Sequence, residues 1–243
     1  MATIGITYKT GAGRLLIQHE PRQYIARALD DDIQAVRLPT AYKGQRHLPG
    51  YQWMSRMKAL VAYESRLEMT ILLQLDFNKA VAHVTSQPFV LHYQHETKMY
   101  RHTPDFFVRY SDGNCEVVNV KPKKFVQKEK NVLAFEACRA AAIEMGCAYS
   151  TRSELDAIYL ANLKWLAGYR RPPAGLTVYV ESIVNAIDGP TQVQEVLAQV
   201  EGNSVLTRPV LYHLLWTGWL ATDLYKRLSN QSLVWISKPI GPS

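Results

Sequence analysis

The residues best suited to chemistry are Asp105, in Thr103-Pro104-Asp105-Phe106-Phe107-Val108, and Asn119 and Lys121, in Val117-Val118-Asn119-Val120-Lys121. Between the two runs stands Ser111-Asp112-Gly113-Asn114, and an Asp-Gly pair between β-forming stretches signals a hairpin. Side chains alternate along a strand with a period of two, so Asn119 and Lys121 share a face beside a partner strand that begins at Asp105. The hairpin gathers a carboxylate, an amide and an ammonium. Phosphodiester hydrolysis uses such groups: carboxylate oxygens hold Mg²⁺, and a cation or metal activates water and steadies the charge on phosphorus.

One carboxylate holds a hard divalent ion poorly, so a second acid is expected upstream. Glu68 lies in the run Ser65 to Leu75, where Leu67, Ile71, Leu72 and Leu75 fall on one helical face. Glu64 is the competing acid, and spacing alone leaves both open. Ser65-x-x-Glu68 also has the form of a capping box, and a helix start of that kind can bring the acid near a metal as well. Gln87, before Pro88, either orients a catalytic group or caps a turn. Lys123, Lys124, Lys128 and Lys130 directly follow Lys121 and are expected to neutralise DNA phosphates. His83, His92, His95 and His102 are read as surface or packing residues, because His92 and His95 stand an odd number apart in one strand.

The elements that must position these groups follow from local pattern. Thr3 to Tyr8, a Gly11-Ala12-Gly13 turn and Leu15 to His19 read as paired strands, and a short helix is expected over Pro21 to Leu29. Strands are expected at Val81 to Thr85, Phe89 to Tyr93, Asp105 to Tyr110 and Cys115 to Lys121. A helix should run from about Lys128 to Met145 and stop at Gly146. A strand at Ala148 to Thr151 comes next, and Thr151-x-x-Glu154 reads as a capping box opening a further helix. Arg170-Arg171-Pro172-Pro173-Ala174-Gly175 is the best linker, which predicts domains over 1–171 and 172–243. Beyond it, helical patterns at Leu176 to Ile187, Thr191 to Val200 and Ser204 to Trp216 precede a hairpin-like stretch from Gly218 to Ile236. That order suggests a winged helix-turn-helix, with Trp216 and Trp219 in its core.

The 243 residues carry a net charge of +7, which suits a polyanionic partner without identifying one. Partition says more: Pro172 to Ser243 holds four basic and five acidic residues, whereas residues 1–171 hold 24 and 16, so the nets are −1 and +8. The third helical pattern of the C-terminal part presents only Arg208 as a cation, so that domain is expected chiefly to bind protein. Cys115, Cys138 and Cys147 are odd in number and lack metal-ligand spacing, so neither a disulfide framework nor a zinc knuckle is expected. With no charged segment leading into an apolar one at the start, and no apolar stretch long enough for a membrane span, a reduced cytoplasmic setting is expected.

Ser65-Arg66-Leu67-Glu68, Gln87-Pro88-Phe89, Thr103-Pro104-Asp105-Phe106 and Asn119-Val120-Lys121-Pro122 occur in the order seen in TnsA-type transposase endonucleases, a branch of the PD-(D/E)xK nucleases, and the chain resembles that family over roughly residues 50–240. The resemblance implies an α/β restriction-endonuclease-like mixed sheet flanked by helices, followed by a small winged-helix-like α+β domain. It implies Glu68 as the helix acid, Asp105 as the second acid and Lys121 as the basic residue, with Mg²⁺ (or Mn²⁺) held by Glu68, Asp105 and Asn119. Asn119 stands where the wider superfamily carries Asp or Glu and this branch commonly carries Gln, and an amide is a weaker ligand than a carboxylate. The implied activity is cutting double-stranded DNA at the 5′ ends of a transposon, beside an integrase-like transposase subunit and an ATP-binding regulator that the C-terminal domain contacts. A stand-alone PD-(D/E)xK nuclease and a non-catalytic adaptor with the same fold are the alternative readings.

Overall fold

The computed structural model describes residues 2–29, 33–38, 48–173, 178–200 and 204–237. The chain divides into two compact units: Met1–Leu72 with Ala80–Glu154, and Leu73–Lys79 with Leu155–Ser243. This division falls at Glu154, upstream of the prolines expected to mark it. The helix that follows Glu154 buries Leu163 and Leu166 in the core of the second unit, which explains the earlier boundary.

The first unit opens with β1 (Ala2–Thr10), β2 (Leu15–Gln18), α1 (Pro21–Leu29), β3 (Ile33–Gln34) and a hairpin of β4 (Gly50–Met54) and β5 (Ala59–Tyr63). It continues through α2 (Arg66–Phe77), β6 (Val81–Ser86), β7 (Phe89–His95), β8 (Lys98–His102), β9 (Phe106–Tyr110) and β10 (Cys115–Val120). Then come α3 (Lys123–Val126), α4 (Glu129–Met145) and β11 (Ala148–Arg152). One sheet has the order β2-β1-β7-β8, with β3 also on β1; a second has the order β11-β10-β9-β6. The second is mixed, since β10 pairs parallel with β11 and antiparallel with β9.

The β9–β10 turn is the expected one. Gly113 takes φ +85°, a conformation open to glycine without steric cost, and the Tyr110 N–H donates to the Asn114 carbonyl at 2.8 Å across the turn. Alternation then turns Phe107, Cys115 and Val117 into a core shared with Ile6, Tyr8, Phe89 and Leu91 of the other sheet and with α1 and α4. Tyr24 of α1 plugs that core, edge-on to Tyr8, Phe89 and Phe107, each pair adding about 1 kcal/mol beyond burial. The helix over 129–145 stops, as expected, where Gly146 takes φ +75°.

Two local expectations fail. Thr151 and Arg152 complete β11, paired with Asn119 and Val120, so Thr151-x-x-Glu154 opens no helix; Glu154 instead accepts the Lys123 N–H at 2.8 Å. The cap of the next helix is Asp156, which accepts the N–H groups of Ile158 and Tyr159. Cys115 and Cys147, expected to be unpaired, are joined by a disulfide with Cα atoms 4.8 Å apart. Parallel pairing of Glu116 with Ala148 sets the preceding cysteines side by side, a neighbourhood invisible in their 32-residue separation.

The second unit contains α5 (Ala157–Leu166), a 3₁₀ turn at Ala167–Tyr169, α6 (Tyr179–Asn185), β12 (Thr191–Gln192), α7 (Val193–Gln199), α8 (Ser204–Thr217), β13 (Leu220–Thr222) and β14 (Leu233–Ile236). Its sheet has the order β12-β14-β13. The expected sequence of three helices and a hairpin is present, with one added strand where Thr191 and Gln192 were read as helix. Trp216 is buried at 2% exposure, but Trp219, which follows the left-handed Gly218 (φ +82°), is 54% exposed and not core. Ala174-Gly175, the first residues of the Leu176–Ile187 pattern, and Glu201-Gly202-Asn203 lie outside the described residues. Among the described residues no helix is long and apolar enough to cross a membrane.

Candidate active site

Asp105 sits one residue before β9, between the buried Pro104 and Phe106, where three backbone bonds hold it. Its own N–H donates to the Val118 carbonyl at 3.0 Å, and its carbonyl accepts the Gln87 N–H at 2.8 Å. Its carboxylate accepts the Val120 N–H at 2.6 Å. Burial pushes the Asp105 carboxyl up to about 8, and the nearby negative charge of Glu68 adds to the rise. The Val120 N–H and the Lys121 ammonium oppose it, and Glu64 adds a smaller repulsion. Two carboxylates and an ammonium therefore act on one another at the strand ends.

Glu68 reaches this point through helical spacing. Residues 68, 72 and 75 share a face of α2, and Leu72 and Leu75 are fully buried, which draws Glu68 inward to 8% exposure. The Ser65 hydroxyl accepts the Glu68 N–H at 3.2 Å and donates back to its carboxylate at 2.7 Å, while the other carboxylate oxygen accepts the Glu64 N–H at 2.7 Å. Capping and an inward carboxylate coexist. Glu64 lies before the helix and turns its side chain to Arg37 at 3.1 Å.

Asn119 is fully buried, but its amide is engaged: Oδ1 bonds His102 Nε2 at 2.8 Å and Nδ2 donates to the Tyr149 hydroxyl at 3.0 Å. The structure therefore directs the Asn119 oxygen at His102, whereas the sequence suggested a metal. Burial holds His102 below the usual histidine range; the Asn119 bond opposes this, and the charges of Lys121 and Arg37 reinforce it. His102, read from sequence as a surface or packing residue, thus belongs to the site's surroundings. His102 ends β8 opposite Leu91 of β7, and its ring reaches across to Asn119 of the other sheet.

Lys121 follows β10, its N–H donating to the Arg152 carbonyl at 2.9 Å and its carbonyl accepting the Ser153 hydroxyl at 2.7 Å. Lys123, Lys124, Lys128 and Lys130 follow just beyond, with the ammoniums of Lys124 and Lys128 at 4.9 and 4.7 Å from the Phe125 ring. Sequence reasoning missed Arg37 altogether. Its Nε donates to Gln87 Oε1 and its Nη2 to Glu64 at 3.1 Å, so the Gln87 side chain engages Arg37 rather than one of the acids or Lys121. No regular pattern around residue 37 signals this.

The groups present suit a hard cation only in part. Among the described residues no cluster of three or more His, Cys, Asp or Glu gathers, but Mg²⁺ commonly uses one or two carboxylates and fills its shell with water and substrate phosphate. Glu68 and Asp105 supply that pair, and their repulsion is what a cation would relieve.

A helix acid, an acid at a strand start and a lysine at the end of the paired strand are consistent with the PD-(D/E)xK nuclease class. Residues 78–154 match the family model of the TnsA-like endonuclease N-terminal domain, which supports a TnsA-type endonuclease. The match contains Asp105, Asn119 and Lys121 and begins after Glu68. No curated protein matches the chain.

Proposed function

We propose that this protein is a Mg²⁺-dependent DNA endonuclease, the subunit of a heteromeric transposase that cuts the 5′ ends of a DNA transposon. The observation that carries this reading is the placement of Asp105, its carboxylate on the Val120 N–H at 2.6 Å, beside Lys121 at one end of the β9–β10 pair, within the stretch that matches the TnsA-like endonuclease model. Glu68 and Asp105 are the residues that would hold Mg²⁺, with Mn²⁺ as a substitute. The bound ion would supply the positive charge that offsets charge on the phosphate and the leaving oxygen. Lys121 orients the attacking water as an ammonium, or takes its proton as the free amine; the water oxygen bonds to phosphorus, the P–O3′ bond breaks, and the products are a 5′ phosphate and a 3′ hydroxyl. Asn119 contributes by fixing His102 beside the site, its amide being already engaged. Lys123, Lys124, Lys128 and Lys130 bind phosphates of double-stranded DNA.

The 172–243 part, in this reading a winged-helix-like module, takes protein partners, namely an integrase-like transposase subunit and an ATP-binding regulator. The unit that contains it, residues 73–79 with 155–243, carries eight basic and seven acidic residues, a balance that offers no cationic surface to DNA and suits protein partners. The test is cleavage of transposon-end duplexes with and without Mg²⁺, by the protein alone and with an integrase-like transposase subunit added. Cutting is expected only with metal and chiefly with the partner; strong cutting of arbitrary DNA by the protein alone would favour a stand-alone nuclease.

A further inference from the structure

We infer that Arg37 is a phosphate-binding residue for the DNA strand that enters the Glu68–Asp105–Lys121 site, held in place by Gln87 and Glu64. The inference rests on the nuclease reading above and adds a DNA-binding group that the catalytic motif does not contain.

Arg37 is anchored at two points: Nε donates to Gln87 Oε1, and Nη2 donates to Glu64 at 3.1 Å. Its side chain is nevertheless 59% exposed, so the anchors orient the guanidinium without covering it. Each anchor is one link from a catalytic acid. The Gln87 N–H bonds the Asp105 carbonyl at 2.8 Å, and the Glu64 N–H bonds the Glu68 carboxylate at 2.7 Å. The Val36 N–H closes the arch by donating to the Gln87 carbonyl at 2.9 Å.

An ordinary surface ion pair is worth little and needs no such support. Here the support is built in: Gln87 is only 4% exposed and adopts φ +44°, a conformation that costs a non-glycine residue on the order of 1 kcal/mol. The positive φ belongs to the two-residue connection between β6 and β7, and the turn it makes fixes a buried amide that aims an exposed cation, an arrangement best explained by a ligand for that cation. The guanidinium plane suits two-point bonding to phosphate oxygens.

The test measures binding of a fluorescent DNA duplex in Ca²⁺, which suppresses cutting, across a salt series, followed by cleavage in Mg²⁺ with the integrase-like subunit present. Arg37→Ala should weaken binding about 3- to 10-fold and lower the slope of log affinity against log salt by about 0.9, the value for one phosphate no longer neutralised. Gln87→Leu, which keeps the charge and removes the aim, should weaken binding while leaving most of the slope. Arg22→Ala, removing an exposed cation on α1 that bonds the Glu144 carbonyl, is the control and should change neither. Thermal unfolding verifies that every variant is folded. If the wild type binds and cuts while Arg37→Ala matches Arg22→Ala, the Arg37 assignment is overturned and the nuclease stands. If the wild type neither binds nor cuts DNA, the nuclease reading falls and the Arg37 assignment with it.

Discussion

Asp105 in the first unit and Asn162 in the second are both polar side chains set among apolar neighbours, yet they are treated oppositely. Asn162, 5% exposed, donates to the carbonyls of Leu224 and Lys226 at 2.8 Å each and accepts the Leu228 N–H at 3.3 Å. Every polar atom of its amide stitches a loop to α5. Asp105 has one N–H on its carboxyl group and feels the charge of Glu68, a repulsion that the Val120 N–H and Lys121 offset only in part. Satisfied polarity suits a structural role, and polarity left in tension suits the cation and substrate proposed for Asp105.

The sharpest way to break this contrast is to remove the tense groups. Asp105→Ala and Lys121→Ala should each lower DNA cleavage by about 10³-fold or more while leaving circular dichroism unchanged; normal cutting by either variant would remove it from the site. Next in size is the choice between helix acids. Glu68→Gln should cost about 10²-fold or more and Glu64→Gln less than about 10-fold, since only Glu68 is inward. Equal losses in the two variants would mean that position relative to the capped helix start does not decide the role.

Stability should move in opposite directions in the two units. Asn162→Ala leaves buried carbonyls unpaired and should cost about 2–3 kcal/mol, read as a lower thermal midpoint with cutting retained at low temperature. Asp105→Asn should instead raise the midpoint by a few degrees in metal-free buffer at pH 8. The sign follows from the raised carboxyl: the folded state holds its proton more tightly than the unfolded chain, so stability is full below about pH 4 and falls as pH rises towards about 8. The variant should flatten that fall, and Mg²⁺ should stabilise the wild type but not the variant. The smallest effects belong to the lysines. Neutralising Lys123, Lys124, Lys128 or Lys130 singly should weaken DNA binding about 2- to 5-fold, with the salt slope falling by about 0.9 for each phosphate that goes without its cation.

What was legible in the sequence was local. The Asp-Gly turn, the Gly146 stop and the helix containing Leu72 and Leu75 are written in neighbouring residues, and they set Asp105 and Lys121 at one end of a hairpin and Glu68 in the first turn of a helix. What escaped was set by pairing between distant segments. β8, with four of its five residues exposed, shows no alternation to betray a strand, so His102 could not be placed beside Asn119. The cysteine pair depends on a parallel register, and Arg37 on an arch built from Gln87 and Glu64. Asn119 was matched to a ligand position by its place in the motif, which cannot reveal that its two amide atoms already have partners.

The path of α2 bears on how the molecule can be taken apart. Its first turns belong with residues 1–72, whereas Leu73–Lys79 count with residues 155–243, and Leu73 is a member of the second core. The chain therefore passes between the units three times, and no single scission yields both of them whole. A fragment that starts at Leu155 leaves part of its interior behind on the other piece. Autonomy of the C-terminal unit should return only when the 73–79 stretch is restored, as a grafted helix or a peptide in trans, so a dissection guided by the Pro172-Pro173 linker alone would yield pieces that aggregate.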